Sequence, residues 1–174
     1  KYVESGISTD HECFSLEEAL EKLSLGMKVQ IREGSAARNL DDLMSLLNEH
    51  YKECMLCSDD KHPDDLAEGH INEMVRRAIA AGIDPLKVLW SATVTPIKTY
   101  GLGVGMLQTN DPADLIIVDN LLDFKVLSTY IDGNLVAEQG ATRLVSQPVI
   151  AVNRFEAERQ KPAAFKIKTS LSDV

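Results

Sequence analysis

Met27-Lys28-Val29-Gln30-Ile31-Arg32-Glu33-Gly34-Ser35 joins a strand pattern to a polar loop. Its first five residues alternate apolar and polar, the period of a strand with one covered face, and the charged pair, glycine and serine that follow read as the loop at that strand's C-terminal end. Working back, Ser15-Leu16-Glu17-Glu18 is a capping box, in which the serine hydroxyl and the glutamate three residues on satisfy free backbone amides. Leu16, Ala19, Leu20 and Leu23 then share one helical face and Gly26 supplies the stop. Before that helix, Gly6-Ile7-Ser8-Thr9 reads as a short strand ending in Asp10-His11-Glu12. Working forward, a helix from about Asn39 carries Leu40, Leu43, Met44 and Leu47 on one face, and a short apolar strand from Glu53 to Ser58 delivers Asp59-Asp60 to its end. This alternation is that of consecutive βα units around a parallel sheet, an α/β fold. Met27, Val29 and Ile31 are expected to include residues left exposed unless further strands close the sheet.

Beyond the third strand, Ala67 to Ala81 reads as an amphipathic helix closed by Gly82, and His62 to Asp65 as a solvated loop. Asp84-Pro85 caps and opens another helix, with proline where its missing amide costs nothing. After Gly101 the character changes: 114–119 and 125–137 are rich in β-branched residues, and Asp132-Gly133 between Tyr130-Ile131 and Asn134-Leu135-Val136 is a two-residue hairpin signal. The expected organisation is therefore 1–101, 102–147 and a charged linker or start of a further domain over 148–174. The sequence holds no internal repeat.

At 174 residues and 44% hydrophobic, the chain can bury a core. A formal charge of −9, with no basic patch interleaved with aromatics, excludes nucleic acid as the expected partner. No targeting segment and no apolar run of spanning length is visible, so no membrane partner is expected. Three cysteines, an odd number, fit a reducing cytoplasm better than a disulfide framework.

Parallel α/β folds place chemistry at the C-terminal ends of strands. His11 follows the first strand, Arg32-Glu33-Gly34-Ser35 the second and Asp59-Asp60 the third. An imidazole and a carboxylate suit manganese, iron or zinc, such an ion lowers the pKa of bound water, and a neighbouring carboxylate can take the proton. The same residues also serve plainer ends: Asp10 and Asp59 as helix caps, His11 as a surface histidine, Arg32 and Glu33 as an exposed ion pair before a glycine turn. Cys54-Met55-Leu56-Cys57 has the spacing of redox and zinc sites, but it lies in a strand, where side chains three apart point to opposite faces. Gly101-Leu102-Gly103-Val104-Gly105 follows a helix rather than a strand, which removes the phosphate-binding geometry.

With those residues in hand, the chain resembles the adenine deaminases of the amidohydrolase superfamily from about Gly6 to Ala137. The likeness is carried by Asp10-His11-Glu12, by Ile31-Arg32-Glu33-Gly34-Ser35-Ala36-Ala37-Arg38 and by Cys57-Ser58-Asp59-Asp60-Lys61-His62-Pro63-Asp64-Asp65-Leu66. Glu68-Gly69-His70-Ile71 and the strand from Pro112 to Asp119 add to it. The resemblance implies the C-terminal part of a (β/α)8 TIM-type barrel, its sixth to eighth strands, followed by strands of a small β-sandwich. It implies His11 and Asp59 as metal ligands and Asp59 as proton shuttle, with Asp60 the neighbour that shares either role; Arg32, Glu33 and Ser35, facing the same mouth after the second strand, are the expected substrate-binding residues. The metal would be manganese or iron, with zinc a third choice, and the substrate a purine.

The family's His-x-His pair, its fourth-strand acid and its fifth-strand histidine are not among these 174 residues. The chain is therefore expected to be a fragment of an adenine deaminase, inactive alone, that self-associates or pairs with a missing N-terminal part. A dihydroorotase-like cyclic amidohydrolase and a non-catalytic association module are the alternatives.

Overall fold

The computed structural model describes residues 2–150 and 152–167. Contacts group the chain into two units, Lys1–Leu144 and Val145–Val174. The first unit opens on a parallel sheet of three strands, β1 (Thr9–Asp10), β2 (Lys28–Arg32) and β3 (Cys54–Cys57), with β2 in the centre. Its register pairs Thr9 with Lys28 and Arg32 with Cys57, so the three C-terminal ends lie along one edge.

Between and after these strands come α1 (Leu16–Ser24), α2 (Leu40–Leu43), a 3-10 turn (Met44–Leu46), α3 (Leu47–His50), α4 (Pro63–Glu68), α5 (Ile71–Ala80), α6 (Pro85–Leu89), a π turn (Trp90–Val94) and α7 (Thr95–Tyr100). Ser91 and Thr95, on and after the π turn, both donate their hydroxyls to the Tyr51 carbonyl, at 2.8 and 3.1 Å, which fastens that turn beneath β3. Asp84 caps α6 as expected, accepting from the Leu86 amide at 2.8 Å. An antiparallel sheet follows, β4 (Leu115–Val118), β5 (Val126–Ile131), β6 (Asn134–Glu138) and β7 (Ala141–Thr142), in sequential order. Asp132 and Gly133 join β5 to β6 with φ of 48° and 73°, the paired left-handed geometry of a tight hairpin turn.

The core lies between the parallel sheet and its helices, where Val29, Ile31, Cys54 and Leu56 meet Leu40, Leu43 and Leu47 and the buried stripe of α5, Met74, Val75 and Ala78. Burying each large aliphatic side chain contributes about 1.5–3 kcal/mol. Met27, Val29 and Ile31 are all buried, contrary to the expectation that some would be exposed; β2 turns Val29 and Ile31 into the core it shares with the helices.

Several sequence expectations shift. The first strand is Thr9–Asp10, not Gly6–Thr9, because Val3–Ser5 forms a 3-10 turn that Gly6 ends in the left-handed region. In the capping box Ser15 accepts from the Glu18 amide at 3.2 Å, but Glu18 reaches back to the Phe14 amide rather than to that of Ser15. The helix from Asn39 breaks into α2, a 3-10 turn and α3, and the tighter turn brings Leu46 into the core beside Leu43 and Leu47. The long helix over 67–81 is two helices, separated at Gly69, whose backbone is extended, and His70, and the supposed loop after His62 is α4 with Pro63 at its first position. In the second unit Pro162–Phe165 forms a 3-10 turn; residues 151 and 168–174 of the expected linker lie outside the described residues.

Candidate active site

Arg32, the last residue of β2, organises the strand ends. Its main chain is pinned by Asn39, whose Oδ1 accepts from the Arg32 amide at 2.8 Å and whose amide donates to the Arg32 carbonyl at 3.0 Å. The Asn39 Nδ2 donates in turn to the Cys13 carbonyl at 2.7 Å, so β2 is tied to the loop after β1. The Arg32 side chain is 5% exposed. Its Nη1 and Nη2 donate to Glu12 Oε1 and Oε2 at 3.0 and 2.8 Å, and Nη1 also to Asp59 Oδ2 at 2.6 Å. Burial disfavours the charged guanidinium, but the bonds and charges of Glu12 and Asp59 outweigh it and hold its pKa above the ordinary value. Its Nε is buried without a partner. His11 Nε2 lies 3.3 Å from Glu12 Oε1, so His11, Glu12, Arg32 and Asp59 form one polar chain across the ends of β1, β2 and β3.

Asp10 holds the turn on which His11 and Glu12 sit. Its Oδ2 accepts from the Glu12 and Cys13 amides at 3.1 and 3.2 Å, from the Cys13 thiol at 2.9 Å and from Lys22 Nζ at 3.0 Å. Burial would raise the Asp10 pKa, yet the bonds from Cys13 and Lys22 win and hold it below the usual carboxylate range. Burial and the neighbouring Asp10 push the Cys13 thiol up to about 12.

Glu33 is buried and turned aside. It accepts from Arg77 Nη1 at 2.6 Å and from the Leu40 amide at 3.3 Å, while Arg77 Nη2 reaches Asp41 at 2.6 Å. Ser35 donates to Asp65 and accepts from the His62 amide at 2.8 Å, joining the loop after β2 to α4. Asp60 packs on Gly34 so closely that a Cβ there would lie 2.0 Å from its Oδ1. A polar cavity of about 270 Å³ opens beside this wall, lined among others by Glu33, Lys61, Asp65, His70 and Arg77. Burial, then the charge of Lys61, lowers the His70 pKa from its ordinary value.

The structure thus gathers His11, Arg32 and Asp59 at one edge, sets Asp60 against the next loop, and turns Glu33 and Ser35 toward α4 and α5. Sequence reasoning missed Asn39, Arg77 and Asp65 as partners of these residues, and the pairing of Glu12 with Arg32. Glu12 stood inside the quoted Asp10-His11-Glu12 string; Arg77 had no signal, since an arginine on an amphipathic helix reads as its solvent face. Cys54 and Cys57 are free, as the strand geometry requires. Burial raises both thiols, Cys54 to about 12 and Cys57, next to the Asp59 charge, to about 11.

An imidazole after β1 and a carboxylate after β3, on either side of β2, are suitable donor types for a divalent ion, and this is the fit the present residues offer. Among the described residues no three His, Cys, Asp or Glu side chains stand close enough to hold one. No helix among them is long and apolar enough to cross a membrane.

Residues 1–136 match the model of the amidohydrolase family. The chain is 53% identical over 167 residues to an adenine deaminase of Salinibacter ruber, covering 96% of this chain and 31% of that protein. An adenine deaminase of Methanosarcina mazei is 50% identical over 160 residues, with 91% and 29% covered, and one of Borreliella burgdorferi is 45% identical over 173 residues, with 97% and 32% covered. Among solved structures, a beta-aspartyl dipeptidase of Fervidobacterium islandicum superposes with a TM-score of 0.61 at 20% identity, over 75% of this chain and 36% of that one, a likeness of fold. The chain spans about 31% of the length of the Salinibacter relative.

Proposed function

The chain belongs to the amidohydrolase family, and we propose that it carries part of the active site of an adenine deaminase, which converts adenine and water to hypoxanthine and ammonia. In this reading 1–101 are the sixth to eighth βα units of a (β/α)8 barrel, 102–147 strands of a small β-sandwich, and 148–174 a linker or the start of a further domain. His11 and Asp59 contribute two ligands to a divalent ion, manganese or iron before zinc, and polypeptide outside these 174 residues supplies the others. The open edges of β1 and β3 are where such polypeptide, or a second copy, would pair. The three free thiols fit a reducing, cytoplasmic setting.

A bound divalent ion supplies a Lewis acid that makes a water molecule acidic near neutral pH. Asp59 accepts the proton that water gives up and returns it to the departing amino group, so that ammonia leaves. Asp60, one residue on, is the second carboxylate at that mouth. Glu33 and Ser35, in the loop after β2, belong to the wall against which the purine is held.

The observation that carries this reading is the single polar chain joining His11 to Asp59 across three strand ends, in a sequence about half identical to proteins named adenine deaminase. Metal analysis and an adenine deamination assay, on this chain and on the longer protein containing it, test it. Metal and activity together in the longer protein support it; a longer protein with neither refutes it.

A further inference from the structure

Arg32 is nearly inaccessible at a site otherwise open to solvent. Its side chain is 5% exposed, against 60% for Glu12, 45% for His11 and 27% for Asp59. Both Nη atoms are committed to carboxylates from the loops on either side, and the main chain is clamped by Asn39. The one donor left without a partner, Nε, is itself buried, so the guanidinium presents no exposed edge with which to recognise a purine.

Its geometry suits a different task. Asp59 follows β3 with φ of 45°, a left-handed conformation that aspartate tolerates but still adopts at a cost of about 1–2 kcal/mol. The 2.6 Å bond from Arg32 takes one oxygen of that carboxylate, Oδ2, and fixes the orientation of the other. The two bonds to Glu12 are the parallel fork that arginine makes with a carboxylate, and Glu12 Oε1 then faces His11 Nε2. Lysine could not make this arrangement, because it offers a point charge on a flexible stem rather than a rigid fork. A positive charge beside a metal site opposes a cation, but Glu12, Asp59 and Asp60 outnumber it, so the rim stays anionic.

We propose that Arg32 is a positioning residue, whose guanidinium ties Glu12 to Asp59 across β2 and so sets His11 and Asp59 as a single preformed pair of ligands. It acts through Glu12 on His11 and directly on Asp59, and touches neither metal nor substrate. This rests on His11 and Asp59 being ligands, and it converts Arg32 from the expected substrate contact into the part that aligns the ligands. Partners in contact with ligating side chains affect metal affinity by about 10–100-fold.

The test is manganese titration of the full chain, read by paramagnetic broadening of the amide signals of residues 11 and 59, a method suited to the weak binding of two ligands. In the unsubstituted chain both signals broaden together with one midpoint. Arg32→Lys and Arg32→Ala shift that midpoint upward at least about tenfold, and millimolar guanidinium restores part of the loss in Arg32→Ala but not in Arg32→Lys. Because removing a buried charge can unfold the chain, Glu12→Gln provides a milder variant at an exposed residue: it weakens the link from Arg32 to His11 and raises the shared midpoint by about tenfold. An unchanged midpoint in folded Arg32→Lys or in Glu12→Gln overturns the clamp while leaving the ligands in place. Absence of broadening at either residue in the unsubstituted chain overturns the ligand reading, and the clamp with it.

Discussion

Asp59 illustrates what single residues contribute. Asparagine tolerates the left-handed backbone as well as aspartate does and keeps one amide oxygen, but it cannot take a proton near neutral pH. Asp59→Asn in the longer protein containing this chain is therefore expected to leave the urea midpoint close to the parent and, on the proposed function, to lower kcat for adenine by at least about a hundredfold. Gly34 makes a steric prediction: with Asp60 Oδ1 and the Ala37 carbonyl 2.0 and 3.2 Å from the place of a Cβ, Gly34→Ala must displace the Asp60 side chain or its loop. It should cost about 1–3 kcal/mol in urea unfolding. Asp10 predicts the pH dependence. Its folded pKa is lowered, so its contribution is complete above the ordinary value of 3.8 and is lost as pH falls below that, through the folded value. Asp10→Asn should flatten the acid limb of the stability curve below pH 3.8 and remove about 1–3 kcal/mol at neutral pH. The places of Arg32 and Asp59 at strand ends were legible in the sequence because an apolar strand signal leads to each, whereas the strand before His11 is Thr9–Asp10 and not the Gly6–Thr9 expected. The mutual engagement of Arg32 and Asp59 was not legible, since a bond between them spans 27 positions and depends on strand order.

At the scale of elements, short-range chemistry was read well and continuity poorly. The Asp84-Pro85 start and the Asp132-Gly133 hairpin are set by backbone needs within a few residues, and both appear as expected. The helix from Asn39 fails as a single helix because Leu40, Leu43, Leu46 and Leu47 are all buried, and one α-helical stripe is bent by a 3-10 turn to bring them under the sheet. That packing makes the segment sensitive: Leu43→Ala should cost about 2–5 kcal/mol in denaturant unfolding, whereas Leu20→Ala, at a residue 44% exposed, should cost much less. The strand β3 makes a chemical prediction. Cys54 is fully buried and both thiols of the pair titrate high, to about 12 and 11, so neither should react with a thiol reagent in folded protein at pH 8, and mass spectrometry should find no Cys54 to Cys57 disulfide. Recovery of that disulfide from native protein would contradict the strand.

For the molecule as a whole, composition and the alternation of elements were enough for an α/β fold, while the donor count marked the limit of what one chain can do. Among the described residues no group of three metal-ligating side chains forms, so the chemistry proposed for His11 and Asp59 needs donors from elsewhere. The chain should accordingly show no deaminase activity alone and should elute from a sizing column as an associated species, since β1 and β3 both offer open strand edges. The most direct test replaces the matching segment of the Salinibacter ruber adenine deaminase, 53% identical, with this chain and measures conversion of adenine to hypoxanthine in the presence of manganese. The hybrid should deaminate adenine and lose at least about a hundredfold of that rate on Asp59→Asn; a folded, metal-loaded hybrid without activity, or one that Asp59→Asn leaves unimpaired, would contradict the assignment of this chain to a deaminase active site.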